Sequence, residues 1–440
     1  MNLSQACSFA TLVSLAPIIL YIFGFIKDPF NPLLVIAGIA FGDCVLKPLT
    51  NPAPALAYVP EYALIQIEEL VAVSLLALYA GWLAWRLRNH QPRIPVLDAS
   101  QALALYRRQY FAHHFLIIGW ILTVIAVPTW FLLGPRSTTA TGYLTWMADL
   151  RFPGAILVIQ SAVLNRRYLA PCVICVILAS VPNIVFFFTY GGRADTAQLV
   201  VLICVAYLMW QKRPWKGYIL IFGILFAIVL GTIADSRALP NSDTITGRID
   251  ALYTVGKNFV TNRKIEYDSG AEFVVGADQI AVLDKRHNWD DGKFLWNMGV
   301  LLLPKEYYPN KDNYYSQWYT TNYLQIINDN LDVPQLVGAA PTGFANVLVE
   351  FGWLFPLVWF ALGYWLRSLY SKSVYSARLD LQGCFVILII ALLFLIAQDI
   401  YAYLREIIFN LIPIYFVYKL CRVPSKQTQP TAAIGIPAHR

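Results

Sequence analysis

The chain has 440 residues, 58% hydrophobic and 13% charged, with a formal net charge of +7. Soluble domains carry roughly 25% charged and roughly 45–50% apolar residues. Here the apolar residues form long unbroken runs, such as 12–25 and 386–397. That pattern excludes a soluble enzyme, a disordered protein and a nucleic-acid binder of the usual basic kind, and predicts an all-α, polytopic helical membrane protein.

A membrane-crossing helix needs roughly 20 mostly apolar residues. About eleven stretches qualify: 8–26, 31–49, 62–85, 114–133, 153–168, 170–190, 196–211, 217–234, 343–367, 382–400 and 406–420. The runs are too long and too continuously apolar for barrel strands. The expected organisation is helices 1–8 in residues 1–234, a large external domain in 235–342, helices 9–11 in 343–420 and a polar, disordered tail in 421–440. No cleavable leader is expected, because the first span lacks a basic flank and a small-residue cleavage site.

Every second connection is basic. Arg86, Arg88, Arg93, Arg107 and Arg108 fall in one loop, Arg166 and Arg167 in the next. Lys212, Arg213 and Lys216 form a third group, and Arg367, Lys372 and Arg378 a fourth. Short basic loops stay in the cytoplasm. All of them share that side if the amino terminus is outside and the tail, with Lys419 and Arg422, is inside. The long 235–342 segment is then external, and at that length it is a domain rather than a connection. Two stretches in it, 248–260 and 273–285, have the spacing of short amphipathic helices.

Cysteine and histidine narrow the chemistry. The 7 Cys are scattered, and the 5 His do not cluster, so neither a disulfide framework nor a bound metal is expected. Cys172 and Cys175 lie inside an apolar span, where two small buried thiols are the simpler reading. No cofactor and no nucleic-acid partner is expected.

Ionisable residues inside spans are costly and mark function by default. Asp43, Lys47, Glu68, Glu69, Arg193, Asp195, Asp235, Arg237, Glu350, Asp399, Arg405 and Glu406 all fall toward the outer ends of their spans. Helix ends ordinarily carry charge, which is the plain explanation for any one of them. As a one-sided set they describe a polar cavity open to the outer leaflet, roofed by the large loop.

Three stretches carry a family resemblance. Gly191-Gly192-Arg193-Ala194-Asp195 enters a run that ends at Trp210-Gln211-Lys212-Arg213. Gly292-Lys293-Phe294-Leu295 leads to Leu303-Pro304-Lys305-Glu306-Tyr307-Tyr308-Pro309-Asn310-Lys311. Glu350-Phe351-Gly352 follows Gly343 in the span after the large loop, and Arg405 lies beyond the tenth span. In order, spacing and topology these resemble the O-antigen polymerases, the Wzy-type polymerases of oligosaccharide repeat units. Ala194 stands where family members often have a second glycine. The resemblance covers roughly residues 180–410.

The resemblance implies a multi-pass protein of the bacterial inner membrane with its catalytic face in the periplasm. It would transfer a growing glycan from undecaprenyl diphosphate to the distal sugar of a new lipid-linked repeat unit, building O-antigen or exopolysaccharide. Donor and acceptor are both lipid-linked, the bilayer is a partner, and a chain-length regulator is a further expected one. An O-antigen ligase of related architecture is the nearest alternative. A flippase for lipid-linked sugars is one from another class, which the one-sided charge disfavours because alternating access needs polar contacts on both halves.

The residues suit that chemistry. Leaving diphosphate accumulates negative charge, which preorganised cations stabilise, and arginine binds phosphate oxygens with two parallel N–H bonds. Arg193, Arg237 and Arg405, with Lys305 and Lys311 from the loop, are the expected diphosphate ligands, so no metal is needed. The acceptor hydroxyl must lose a proton. His287, Asp195 and Glu350 are the candidate bases, although Asp195 can instead orient Arg193 across one helical turn. Tyr315, Trp318 and Tyr319 are candidate sugar platforms, since flat rings stack on sugar faces. Membrane-interface anchoring is the plain alternative for these rings.

Overall fold

A computed structural model describes residues 2–26, 31–41, 45, 59–88, 99–133, 147–190, 202, 246–247, 250, 253–254, 271–286, 342–375, 379–397 and 400–423. The described helices, in chain order, are α1 (Leu3–Ile22), α2 (Pro32–Ala40), α3 (Glu61–Arg88), α4 (Ala99–Gln109), α5 (Ala112–Leu133) and α6 (Arg151–Leu164). They continue with α7 (Leu169–Tyr190), α8 (Ala271–Arg286), α9 (Gly343–Phe351), α10 (Phe355–Tyr375), α11 (Leu379–Ala397) and α12 (Ile400–Cys421). No strand occurs among the described residues, only an antiparallel bridge between Tyr110 and Arg422.

Seven of the described helical segments are long and apolar enough to cross a membrane. The protein is therefore a multi-pass helical membrane protein by length and composition. The helices leave large apolar side chains uncovered. On α5 these include Ile117, Ile121, Val124 and Leu132; on α7, Val173, Ile174 and Ile177. Apolar faces this extensive suit a hydrocarbon solvent and not water. The expected seventh and eighth spans, 196–211 and 217–234, lie outside the described residues.

Local chemistry fixes several helix starts. Asn2 and Gln5 form a reciprocal capping box on α1, each side chain taking the other's backbone N–H. Asn31 caps α2 through the Leu33 N–H, with Pro32 opening the helix where no amide is needed. Thr342 caps α9 by accepting from the Ala345 N–H.

Two expected boundaries shift. The stretch 343–367 reads as one span, but it breaks into α9, a single 3-10 turn at Gly352–Leu354, and α10. Gly352 carries the break at φ 53° and ψ −136°, which a residue with a Cβ resists. Residues 153–190 divide at Asn165, whose extended backbone ends α6 and whose side chain caps the following turn, Arg166–Tyr168.

Packing is organised around α3 and α11. A Cβ at Gly81 of α3 would strike the Phe360 carbonyl oxygen, and one at Gly363 of α10 would strike that of Leu78. Small residues let the two backbones meet, the usual device between membrane helices. Cys7 meets Glu68 while Val13 meets Tyr79, so α1 and α3 run in parallel. Two apolar cores result. One joins α1, α2 and α3 to α8–α12; the other joins α4–α7 to α11 and α12. α11 is their shared wall, giving Phe385, Ile389 and Leu392 to the first and Val386, Ile387 and Ile390 to the second.

One end of the molecule is tied together by polar contacts. Arg107 of α4 donates from Nε to the Leu164 carbonyl oxygen at 2.6 Å. Gln382 of α11 donates to the Tyr106 hydroxyl at 2.8 Å and to the Ser373 carbonyl oxygen at 3.1 Å. Gln160 of α6 donates to the Tyr418 hydroxyl and, at 3.4 Å, to the Leu379 carbonyl oxygen. The residues after α12 pair with the α4–α5 junction, Phe111 N–H to Cys421 O and Val423 N–H to Gln109 O. These bonds bring the basic residues Arg107, Arg108, Arg166, Arg167, Lys419 and Arg422 to a common pole. Arg367 stands over the rings of Trp82, Trp85 and Tyr370, which places the ends of α3 and α10 there too.

Candidate functional site

The opposite pole is where buried charge is found. Among the described residues, three side chains of the Asp, Glu, Lys and Arg types are buried: Glu68 at 0% exposure, Glu350 at 1% and Arg151 at 2%. Their depth follows from the helix rise of about 1.5 Å per residue. Glu68 stands about 27 Å from Arg86 along α3, and Glu350 ends α9 ahead of the Gly352 break, beyond which α10 runs to Arg367. Arg151 stands about 22 Å from Arg166 along α6. Glu68 and Arg151 are therefore both more than about 20 Å of helix away from the basic ends of their own helices.

The carboxylates sit in the core around α3. Glu68 Oε1 accepts from the Cys7 thiol at 3.7 Å, while its Oε2 has no hydrogen-bond partner among the described residues. Glu350 occupies the last turn of α9, two residues before the Gly352 break, so the break sets where its side chain leaves the helix axis.

Helix α8, from the long segment between the spans, is seated against this region. A Cβ at Gly276 would come within 2.9 Å of Thr342 Oγ1, 3.4 Å of Ala345 Cβ and 3.5 Å of Ile67 Cδ1. α8 thus rests where α3 and the start of α9 meet, one residue from Glu68. It buries Val274, Val275, Ala277, Ile280 and Ala281, and Gln279 with them. Asn346 of α9 accepts from the Ile400 N–H at 3.2 Å, which fixes the start of α12 to the same place. A Cβ on Gly343 would collide with the Leu395 carbonyl oxygen, so α9 and α11 touch backbone to backbone.

Of the ionisable residues singled out from sequence, Glu68 is buried in α3 and Glu350 in the last turn of α9. Arg405 lies near the start of α12, with only its backbone described. Arg193, Asp195, Arg237, His287, Lys305, Lys311, Tyr315, Trp318 and Tyr319 lie outside the described residues. Sequence reasoning passed over Arg151, which directly precedes an apolar run and so resembles an ordinary helix-end charge. It also passed over Gln279, Thr342 and Asn346, whose burial depends on contacts between segments far apart in the chain. Cys175 donates to Thr123 Oγ1 at 3.3 Å, which uses that thiol between α5 and α7.

No protein-family model, curated protein or solved structure matches this chain.

Proposed function

We propose that the protein is a glycosyltransferase that polymerises undecaprenyl-diphosphate-linked repeat units on the membrane face opposite its basic pole. The observation that most supports this reading is the burial of Glu68, Glu350 and Arg151 in helices that leave the basic pole. The sequence resemblance to O-antigen polymerases supplies the substrate class. Short basic loops favour the cytoplasm, so the pole opposite them faces the periplasm in a bacterial inner membrane.

In the reaction, the acceptor sugar hydroxyl bonds to the anomeric carbon of the donor glycan while the bond from that carbon to the diphosphate breaks. The hydroxyl proton passes to a base, and undecaprenyl diphosphate departs. Glu350 is our first choice for that base, with Asp195 and His287 as rivals. Arg193, Arg237, Arg405, Lys305 and Lys311 neutralise the departing diphosphate, and no metal is invoked. Tyr315, Trp318 and Tyr319 hold sugar faces. Both substrates come from the membrane, and a chain-length regulator is the expected protein partner.

The reading is tested by deleting the gene in its host and resolving the surface glycan by length. A polymerase leaves a single repeat unit attached, and complementation with Arg193→Ala does not restore long chains. Loss of all attached glycan would indicate a ligase instead. Repeats trapped on the inner face would indicate a flippase.

A further inference from the structure

We infer that Arg151 is an anion-binding residue that receives the diphosphate of the lipid-linked substrate. This rests on the proposed function for the identity of the ligand, and on the structure for the site itself.

Arg151 opens α6 and is 2% exposed, next to Phe152 of the core formed with α5, α7, α11 and α12. Phe152, Ala155, Ile156 and Ala148 are buried beside it in the chain, and Asp149, two residues before it, is half-buried. A guanidinium carries five N–H donors and stays charged under all ordinary conditions. Its recorded hydrogen bond is a long one, 3.4 Å from Nη1 to the Ala148 carbonyl oxygen. Nε is buried and has no hydrogen-bond partner among the described residues. The remaining contact is the guanidinium over the Phe152 ring, 4.8 Å from its centroid.

A permanent cation held this way is incompletely satisfied among the described residues. Buried charges are ordinarily paired, because desolvation is otherwise uncompensated. Lysine could shed its proton in such a place; arginine cannot. The missing component is an anion with two or more oxygen acceptors, which the planar fork grips bidentately. Arg151 lies beside the core of α4–α7, α11 and α12, to which its neighbour Phe152 belongs.

The test uses the full-length protein in lipid nanodiscs with undecaprenyl diphosphate as probe. Affinity and thermal stability are measured for the wild type, Arg151→Gln and Arg151→Lys. We expect Arg151→Gln to bind the probe at least tenfold more weakly, with Arg151→Lys in between. We also expect Arg151→Gln without probe to melt no lower than the wild type, because it removes a charge that the described residues do not fully pair. Wild-type affinity in Arg151→Gln overturns the inference. So does weaker binding accompanied by a lower melting temperature without probe, which marks a structural arginine. Failure of the polymerase reading is separable: long glycan chains surviving gene deletion, with Arg151-dependent diphosphate binding intact, would remove the reaction and leave the site.

Discussion

Glu350 is a carboxylate buried in the last turn of α9. A positioned general base typically contributes about 100-fold or more to rate. Glu350→Gln keeps the size of the side chain and removes its basicity. Chain extension should therefore fall by about 100-fold or more, with protein level and melting temperature close to the wild type. The length distribution of the surface glycan and a thermal melt together check this. Tyr106 shows a different use of a buried polar group. It lies on α4, outside the spans, and burial pushes its phenol up to about 12 from an ordinary 10.0, although its bond with Gln382 acts in the opposite direction. The unfolded phenol ionises first, so the native state loses stability as pH rises from about 10 toward about 12. Tyr106→Phe should flatten that alkaline loss in a pH series of thermal melts, and should cost about 1 kcal/mol at neutral pH through the lost hydrogen bond.

Helices show what was legible in the sequence and what was not. Continuous apolar runs mark α1, α3, α5, α7 and α11 because lipid-facing and protein-facing surfaces are both apolar, so no periodicity is needed. The α9–α10 break was not legible. Glycine is common in membrane helices, and nothing local distinguishes Gly352, at φ 53°, from Gly363, which instead allows two helices to touch. Gly352→Ala should lower stability by about 1–3 kcal/mol through backbone strain alone, with its effect on Glu350 seen as a further loss of chain extension. The seating of α8 was equally hidden, since its apolar spacing says that one face is buried but not against what. Gly276→Val should push α8 from Thr342 and Ile67 and destabilise by about 1–3 kcal/mol through overpacking. A thermal melt of that variant checks the contact.

Across the whole molecule, charge is sorted by pole. Arginines in alternate loops predicted a shared side, and the contacts of Arg107, Gln160 and Gln382 bring the helix ends carrying them together. Those contacts are made by the Arg107 guanidinium and by neutral amides and hydroxyls near the basic pole, whereas Glu68 and Arg151 are buried farther along their helices. The candidate site was legible only in part. Glu68 and Glu350 could be read from their places in spans, but the partners of Glu68 and Asn346, Cys7 and Ile400, come from more than fifty residues away. A reporter fused after residue 423 should fold on the cytoplasmic side, while one inserted before α8 should respond only on the periplasmic side.

The central claim is that this chain, using lipid-linked glycan alone, extends a polymer and releases the lipid diphosphate. Purified protein in proteoliposomes, supplied with undecaprenyl-diphosphate-linked repeat units and no nucleotide sugar, tests it directly. The expected result is a ladder of glycan lengths with one undecaprenyl diphosphate released per bond formed, both lost in Arg193→Ala. Folded wild-type protein that gives no extension, or extension that requires a nucleotide-sugar donor, would contradict it.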